Sequence, residues 1–423
     1  MIGILLVLVF GAASYLVPRS VLTPSRETQR FALWMLLGFV LRILAHGVIR
    51  NVRLFSHGAS SHADAGMYEL GAWTVARLWE YQGFGWYDAE EIGITEVGNA
   101  LLAVHIFAGI TFLNGGEMTT LGCTSVNALI AVLTCLQLVK LGTMIKGAER
   151  DARLVALAMY FSPAYVFHTA DMFKDGLSAF LVVSAVLLSF RLSERFSPID
   201  AVLGVICLVL VWYVRFYLVF LVSAPLVMSL LGIRSGSTSR VVLAGAFMLA
   251  GALLLIGTQF AEDALDVGMA TFDRATDDNA LAYNAAGGSG VEFAGSPWVT
   301  FPQKLVYTLL SPFPWDFRST SIGFQVGKID ALIWAFFLFR GIRGARRMWH
   351  DDRGTLLMFL VVLVPLTVAY ATTMANIGLI LRQRFPIVLL GAVLAVRGTR
   401  LRRNQRRAAE EQIGQASTHP VIA

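Results

Sequence analysis

The sequence predicts an all-α protein in which about 11 helices cross a membrane. Three observations predict this fold class: 56% of the 423 residues are hydrophobic, only 15% are charged, and the mean hydropathy is +0.66. A water-soluble core does not use this much apolar surface. Each span of a bilayer of about 30 Å, by contrast, needs about 17 to 25 apolar residues. Composition therefore excludes a soluble multi-domain enzyme.

The apolar runs and their charged flanks place the spans. The first run has no preceding basic residue and no small-residue cleavage pattern, so we expect a retained helix and not a signal peptide. The apolar run 198–232 is too long for one span, and we break it at Arg215. The expected spans are 2–17, 31–49, 121–141, 152–167, 176–190, 198–214, 216–232, 241–258, 323–340, 354–373 and 385–397.

Basic residues predict the orientation of these spans. Lys and Arg concentrate in alternate connections, which places the C-terminus in the cytoplasm and, for an odd span count, the N-terminus outside. Segments 51–120 and 259–321 then form extracytoplasmic loops, and the run 99–113 is interpreted as a helix on the outer membrane surface. We expect one transmembrane domain over 1–407 and a disordered cytoplasmic tail over 408–423.

The first outer loop places Asp64 just ahead of an amphipathic helix. From Tyr68 to Trp79, apolar residues recur at the spacing of one helical face. Asp64 has two interpretations. As the end of a Ser-x-x-Asp capping box that begins at Ser61, its carboxylate would satisfy free N–H groups at the helix start. As a general base, it would accept a proton at the outer surface, above a lipid-borne substrate.

A row of cations leads from mid-membrane towards Asp64. Arg42, His46, Arg50 and Arg53 recur along one face of the second span. An arginine at mid-membrane costs at least about 2.5 kcal/mol on insertion scales, which favours a functional role. The structural alternative is snorkelling, or pairing with one buried acid. A lipid phosphate or pyrophosphate would satisfy several of these cations at once.

Polar residues from later segments are expected on the same outer face. The turn "FHTADMFKDG" contributes several of them, although a solvated hairpin between two spans is an alternative for that turn. Two arginines further along lie on the side where basic residues are rare, and such cations need an anionic partner. The predicted donor-phosphate-binding residues are Arg42, Arg50, Lys174, Arg215 and Arg384, and the predicted substrate-binding residues are His62, Tyr68, His168, Asp171 and Asn376.

Several familiar sites are missing from the sequence. A phosphate-binding Gly-rich loop, a Gly-x-Ser-x-Gly elbow and a His-Glu-x-x-His helix are all absent, so ATP-driven, serine-hydrolase and zinc-protease chemistry have no support. His62, Asp64, His168 and Asp171 share a face and are conceivable metal ligands. Nothing else brings them together, so we predict no metal site and no required cofactor.

The order of these parts resembles the GT-C superfamily of membrane glycosyltransferases, which use polyprenyl-phosphate-linked sugars. The resemblance lies in "ADAGMYELGAW", "GNALLAVHIFAGITFLNG", the two spans around "FHTADMFKDG", and "NIGLILRQRFPIVLL". Within this superfamily, the sequence is distantly similar to the protein O-mannosyltransferase and aminoarabinose transferase group. The resemblance implies an inverting transfer in which Asp64 is the base and the cations stabilise the leaving phosphate. Because the first loop has no Asp-x-Asp triplet, a strict metal requirement is not expected.

The implied partners are a polyprenyl-phosphate sugar donor, an extracytoplasmic glycan, lipid or protein acceptor, and the membrane, but no nucleic acid. The expected location is a bacterial plasma membrane. Two alternatives from other classes remain. A lipid-linked oligosaccharide polymerase or ligase would depend on arginines more than on one acid. A transporter or flippase for a lipid-linked substrate would be expected to show related halves with ionisable groups near the midplane.

Overall fold

The computed structural model describes residues 2–51, 61–94, 97, 100–230, 290, 291, 293, 297–320, 322–374 and 376–398. The expected span 241–258 and the tail 408–423 lie outside these residues, as do most of the second outer loop and the side chain of His62. The helices are α1 (Ile2–Val21), α2 (Arg26–Asn51), α3 (Ser61–Gln82), α4 (Ala89–Ile92), α5 (Leu101–Leu113), α6 (Thr120–Met144), α7 (Glu149–Tyr160), α8 (Pro163–Thr169), α9 (Asp175–Glu194), α10 (Pro198–Leu230), α11 (Pro297–Leu310), α12 (Ile322–Asp351), α13 (Arg353–Thr372), α14 (Ile377–Gln383) and α15 (Phe385–Gly398).

Six of the described helices are long and apolar enough to cross a membrane, namely α1, α2, α6, α9, α10 and α13. The pair α14–α15, bent by 55°, adds a seventh span if it is counted as one. The all-α class with several candidate membrane spans is therefore confirmed, whereas the number of about 11 is not.

Two expected spans differ from the observed helices. The expected span 152–167 is divided into α7 and α8 at Ser162, because a residue that precedes a proline is disfavoured in helical conformation. The expected span 323–340 belongs to the longer α12, which continues to Asp351. Asp352 alone separates α12 from α13, and its side chain accepts a hydrogen bond from the Thr355 N–H at 3.3 Å.

The expected break at Arg215 is confirmed. The backbone there has φ −158° and ψ 87°, so α10 consists of two helical stretches that meet at this residue. α10 packs against α9, and the extended residue turns its side chain towards the start of α9. The apolar run of α10 is thus divided at a buried cation.

The first loop contains the helices that the sequence predicts. The expected apolar face of α3 is buried at Tyr68, Ala72, Val75 and Ala76. This face packs against α5, which lies within the apolar run 99–113. Because the buried face fixes the rotation of α3 about its axis, it also fixes where the polar residues of the first turn point.

Close packing of α12 against α15 depends on glycines. A methyl group on Gly344 would overlap the carbonyl oxygen of Leu394, which belongs to the backbone of α15 and is not free to move. We expect Gly344→Ala to lower the free energy of unfolding by about 1–3 kcal/mol. The measurement is the thermal denaturation midpoint of the purified chain in detergent.

The matched control is Gly47→Ala, which also lies inside a helix but has no neighbouring heavy atom within 4 Å of the added methyl group. Alanine is the better helix former, so this variant should be as stable as the natural chain or slightly more stable. Equal midpoints for the two variants would contradict the close contact of α12 and α15.

Candidate active site

The first turn of α3 contacts α14 through an ion pair. Asp64 Oδ2 lies 2.5 Å from Arg382 Nη1, and the Asp64 side chain is 35% exposed while that of Arg382 is 11% exposed. The short helix α14 is capped by Asn376, whose Oδ1 accepts a hydrogen bond from the Leu379 N–H at 3.2 Å. Asn376, expected to bind substrate, is therefore placed to hold the helix that carries Arg382.

The turn between α8 and α9 brings Lys174 to the same place. Its Nζ lies 5.8 Å from the centre of the Tyr68 ring, and its charged neighbours are Arg215, Asp175, Arg382 and Asp64. Burial lowers the pKa of Lys174 to about 7, and the nearby guanidinium of Arg215 contributes to the same shift. The two arginines and two aspartates balance each other, so a protonated Lys174 gives this group of side chains an excess of one positive charge.

Arg215 forms a buried ion pair with Asp175, the first residue of α9. Both side chains are almost completely buried, and Arg215 also donates a hydrogen bond from Nη1 to the Tyr217 hydroxyl at 3.2 Å. The Nε of Arg215 is buried and makes no hydrogen bond within the described part of the chain. One donor of this buried guanidinium is thus unsatisfied.

These contacts define one group of side chains, which we call the Asp64 cluster. Its members come from α3, the α8–α9 turn, the break in α10, and α14, which are far apart in sequence. Burial raises the pKa of Tyr68 well above its usual range, so its hydroxyl stays protonated. The Asp64 cluster consists of Asp64, Tyr68, Lys174, Asp175, Arg215 and Arg382.

Arg50 and Asp171 form a second group at the end of α2. Arg50 Nη2 lies 2.9 Å from Asp171 Oδ1, and Arg50 Nη1 lies 2.7 Å from Glu69 Oε2. The backbone of the Asp171 turn is held by Asn127, whose side-chain amide donates to the Asp171 carbonyl at 2.7 Å. Arg50 was expected to bind phosphate and Asp171 to bind substrate, and the structure pairs them with each other.

Arg42 and Arg384 lie inside the packed bundle and not in the Asp64 cluster. The Arg42 guanidinium donates to Gly38 O, Tyr160 O and Thr169 Oγ1, and it lies 4.1 Å from the centre of the Tyr160 ring. Arg384 donates to the Ser311 carbonyl at 2.6 Å, and its Nη2 is 3.8 Å from Asp330 Oδ2. Arg42 therefore finds its acceptors inside the bundle, whereas Nε and Nη2 of Arg384 are buried without a hydrogen-bond partner among the described residues. Their assignment to donor phosphate stays a prediction.

His168 lies near the cluster but among aromatic rings. Its imidazole contacts Phe167, Phe173 and Phe385, with ring centres 5.1 to 5.6 Å apart. Burial lowers the pKa of His168 to about 4, so the ring is neutral near pH 7. Its Nδ1 has no hydrogen-bond partner among the described residues, which leaves one polar atom for a ligand.

Two cluster members, Asp175 and Arg382, are not among the predicted site residues, and Arg382 is the one that pairs with Asp64. It is separated from Arg384 by one residue, and two residues of a helix turn the side-chain direction by roughly 200°. One of the two arginines therefore faces Asp64, while the other faces the bundle interior. The segment "LRQRFP" contains both arginines, but its sequence does not show which of them faces Asp64.

Nothing in the described ranges forms a group of three His, Cys, Asp or Glu side chains suited to hold a metal ion. Of the conceivable metal ligands, Asp64 pairs with Arg382 and Asp171 pairs with Arg50. The prediction that no metal is required stays a prediction.

Comparison of the chain with protein-family models, with curated proteins and with solved structures gave no match. The assignment of a function therefore depends on the geometry and charge of the Asp64 cluster.

The buried pair of Arg215 and Asp175 gives a test of this site geometry. Asp175→Asn leaves the buried guanidinium without its carboxylate, and we expect it to lower the free energy of unfolding by about 3–5 kcal/mol. Thermal denaturation of the full chain in nanodiscs measures this loss. Replacing both partners, Asp175→Leu with Arg215→Met, should recover most of it, since no buried charge remains unpaired.

Arg77→Met is the matched control, because Arg77 forms an ion pair with Glu80 on the exposed side of α3. It should leave the denaturation midpoint nearly unchanged. If Asp175→Asn behaved like Arg77→Met, the ion pair at the break in α10 would be refuted.

Proposed function

We propose that this protein is an inverting membrane glycosyltransferase that moves a sugar from a polyprenyl-phosphate donor to an extracytoplasmic acceptor. The observation that carries the proposal is the Asp64 cluster. Arg382 pairs with the partly exposed carboxylate of Asp64 at the start of α3, and Lys174 and Arg215 are the other two cations of the same cluster. A carboxylate beside several cations can serve a reaction that transfers a proton and releases a phosphate.

The charge of the leaving group fits these cations. A polyprenyl-phosphate sugar is a phosphodiester with one negative charge, whereas the released polyprenyl phosphate is a monoester with a charge of about −1.5 to −2 near pH 7. Charge therefore develops on the phosphate as the bond to the sugar breaks. Lys174, Arg215 and Arg382 would stabilise the transition state more than the bound donor, which is the requirement for catalysis.

The proposed step is a single displacement. The acceptor hydroxyl oxygen attacks the anomeric carbon, and its proton passes to the Asp64 carboxylate. The bond from the anomeric carbon to the phosphate oxygen breaks, and its electron pair stays on the phosphate. Arg382 connects the two events, because a phosphate that competes for its guanidinium would free Asp64 to accept the proton.

The proposal places the cluster on the extracytoplasmic side of a bacterial plasma membrane, with the N-terminus outside and the C-terminus in the cytoplasm. The support is that Lys and Arg concentrate in alternate connections between the expected spans. An excess of Lys and Arg is typical of cytoplasmic segments. ATP and nucleotide sugars are not available on the outer side. A lipid-linked donor supplies activated sugar there without them.

The first test of this function replaces the proposed base. We expect Asp64→Asn to reduce sugar transfer by about 10²–10⁴-fold, because general-base catalysis contributes a factor of this size. The lipid-linked donor should accumulate. Mass spectrometry of membrane lipids and surface glycans, from cells with matched membrane abundance of each variant and from a deletion strain, measures both effects.

Glu80→Gln is the control for this test. Glu80 also lies on α3 and also forms an ion pair with an arginine, at 2.7 Å from Arg77, but at the other end of the helix. Its glycans should match those of the natural chain. If the deletion changes the glycan while Asp64→Asn does not, Asp64 is only a partner of Arg382, and an arginine-based polymerase or ligase becomes the better assignment. If the deletion changes neither lipids nor glycans, the glycosyltransferase proposal fails.

The second test uses the pH dependence of donor binding. The pKa of Lys174 is about 7 in the free protein, and a bound phosphate raises it, because an adjacent anion favours the charged ammonium. Donor affinity should be greatest below pH 7 and should fall as the pH rises above it, by up to about tenfold per pH unit. Equilibrium binding of a short-chain polyprenyl-phosphate sugar to the chain in nanodiscs measures this.

Lys174→Arg is the matched variant, since a guanidinium stays charged throughout the range from pH 6 to 9. It should bind the donor with little pH dependence, while Lys174→Gln should bind weakly at every pH. A steep pH dependence that persists in Lys174→Arg would show that another group controls donor binding.

A further inference from the structure

A surface cavity lies outside the Asp64 cluster, at the end of α11 and in the segment that follows it. It has a volume of about 470 Å³, within the range of about 300–1,000 Å³ typical of small-molecule sites. Its lining residues are Tyr307, Phe313, Trp315, Asp316, Phe317 and Arg318. The proposed function uses none of them.

The aromatic residues of this cavity expose flat apolar faces. The Phe313 and Trp315 rings are stacked, with centres 5.3 Å apart and planes inclined by 8°. Trp315 is 71% exposed and Phe317 is 82% exposed. Large exposed aromatic surfaces of this kind commonly mark a binding surface.

Beside the aromatic rings lies a carboxylate with an unused oxygen. Asp316 Oδ1 accepts a hydrogen bond from the Arg318 N–H at 3.1 Å, and it lies 3.5 Å from Arg318 Nε. The Asp316 side chain is only 6% exposed. Its Oδ2 is buried and has no hydrogen-bond partner among the described residues. A buried unpaired carboxylate oxygen costs free energy, so a ligand that donates to it would be stabilised.

The charged groups and aromatic rings of this cavity together indicate which class of ligand it can bind. Asp316 and Arg318 together carry no net charge, and the Lys328 ammonium lies to one side, 4.8 Å from the centre of the Phe317 ring. A carboxylate and a guanidinium side by side suit hydroxyl groups, because a hydroxyl both donates and accepts hydrogen bonds. A pyranose ring presents such hydroxyls together with an apolar C–H face that can cover an aromatic ring. An acyl chain would leave Asp316 Oδ2 unsatisfied.

We propose that the cavity formed by Tyr307, Phe313, Trp315, Asp316, Phe317 and Arg318 is a saccharide-binding subsite. Its segment is attached to the helix of the Asp64 cluster, because Arg384 donates to the Ser311 carbonyl and follows Arg382 by two residues. The sugar is assigned to the acceptor, and that assignment rests on the proposed function. The saccharide site itself does not.

The test uses the full chain in nanodiscs and a panel of methyl glycosides of glucose, galactose, mannose and N-acetylglucosamine. Saturation-transfer NMR should detect binding of at least one of them. Trp315→Ala and Asp316→Asn should each weaken that binding about tenfold or more, while Trp349→Ala should not. Trp349 is also an exposed tryptophan, but it lies near the end of α12. The absence of binding by every glycoside, or equal binding by Trp315→Ala, would overturn the proposal.

The competing role of these rings is attachment to lipid, since tryptophan is enriched at membrane surfaces. The fluorescence of Trp315, obtained as the difference between the intact chain and Trp315→Phe, should be shielded from acrylamide by the bound glycoside. It should not be quenched by lipids brominated in their acyl chains. Strong quenching by those lipids, without glycoside protection, would make the segment a membrane anchor and overturn the saccharide site.

The same panel separates failure of the subsite from failure of the proposed function. Glu80→Gln should bind the glycoside as the intact chain does, because Glu80 belongs neither to the cavity lining nor to the Asp64 cluster. Lost glycoside binding with normal sugar transfer would refute only the subsite. Glycoside binding that depends on Trp315, in a chain whose deletion leaves all glycans and lipids unchanged, would refute only the glycosyltransferase.

Discussion

The ion pair between Arg215 and Asp175 is the interaction on which the arrangement of the site depends. Moving a charged group out of water costs several kcal/mol, so a buried arginine requires a nearby anion or a full set of hydrogen-bond acceptors. The break in α10 brings the Arg215 side chain to the first residue of α9. That contact fixes the position of Asp175 and therefore of Lys174, the residue before it. The Lys174 ammonium is thereby placed near the Tyr68 ring.

Four cations of this bundle lie in two different electrostatic environments. Arg42 and Arg384 are almost completely buried and contact backbone carbonyls, so they join neighbouring segments. Lys174 and Arg382 instead lie beside a partly exposed carboxylate at the start of a surface helix. In the Asp64 cluster, two carboxylates face three cations whenever Lys174 is protonated. The excess of one positive charge at the Asp64 cluster favours an incoming anion.

The sequence predicted the parts of the site that follow from local pattern. The apolar face of α3 and the break at Arg215 were predicted correctly, and the presence of Asp64, Lys174 and Arg215 on one face of the bundle followed from the expected topology. The roles of Arg42 and Arg384 did not follow, because helical spacing shows which face a residue occupies but not what packs opposite. Tyr160 and Thr169, which satisfy Arg42, are more than 100 residues away in sequence. The division of the expected span 152–167 was missed although Pro163 marks it.

Helix α14 and the residue that follows it contact both the Asp64 cluster and the segment that leads into the aromatic cavity. Arg382, near its end, pairs with Asp64, while Arg384, just after it, donates to the Ser311 carbonyl in the segment that leads into the aromatic cavity. A phosphate that drew Arg382 away from Asp64 would therefore act on a helix whose other arginine holds the cavity segment. Under the proposed function, donor binding and acceptor binding would be coupled through α14. The two arginines are two residues apart and face different neighbours, Arg382 towards Asp64 and Arg384 towards Ser311 and Asp330, so a movement of one shifts the backbone that positions the other.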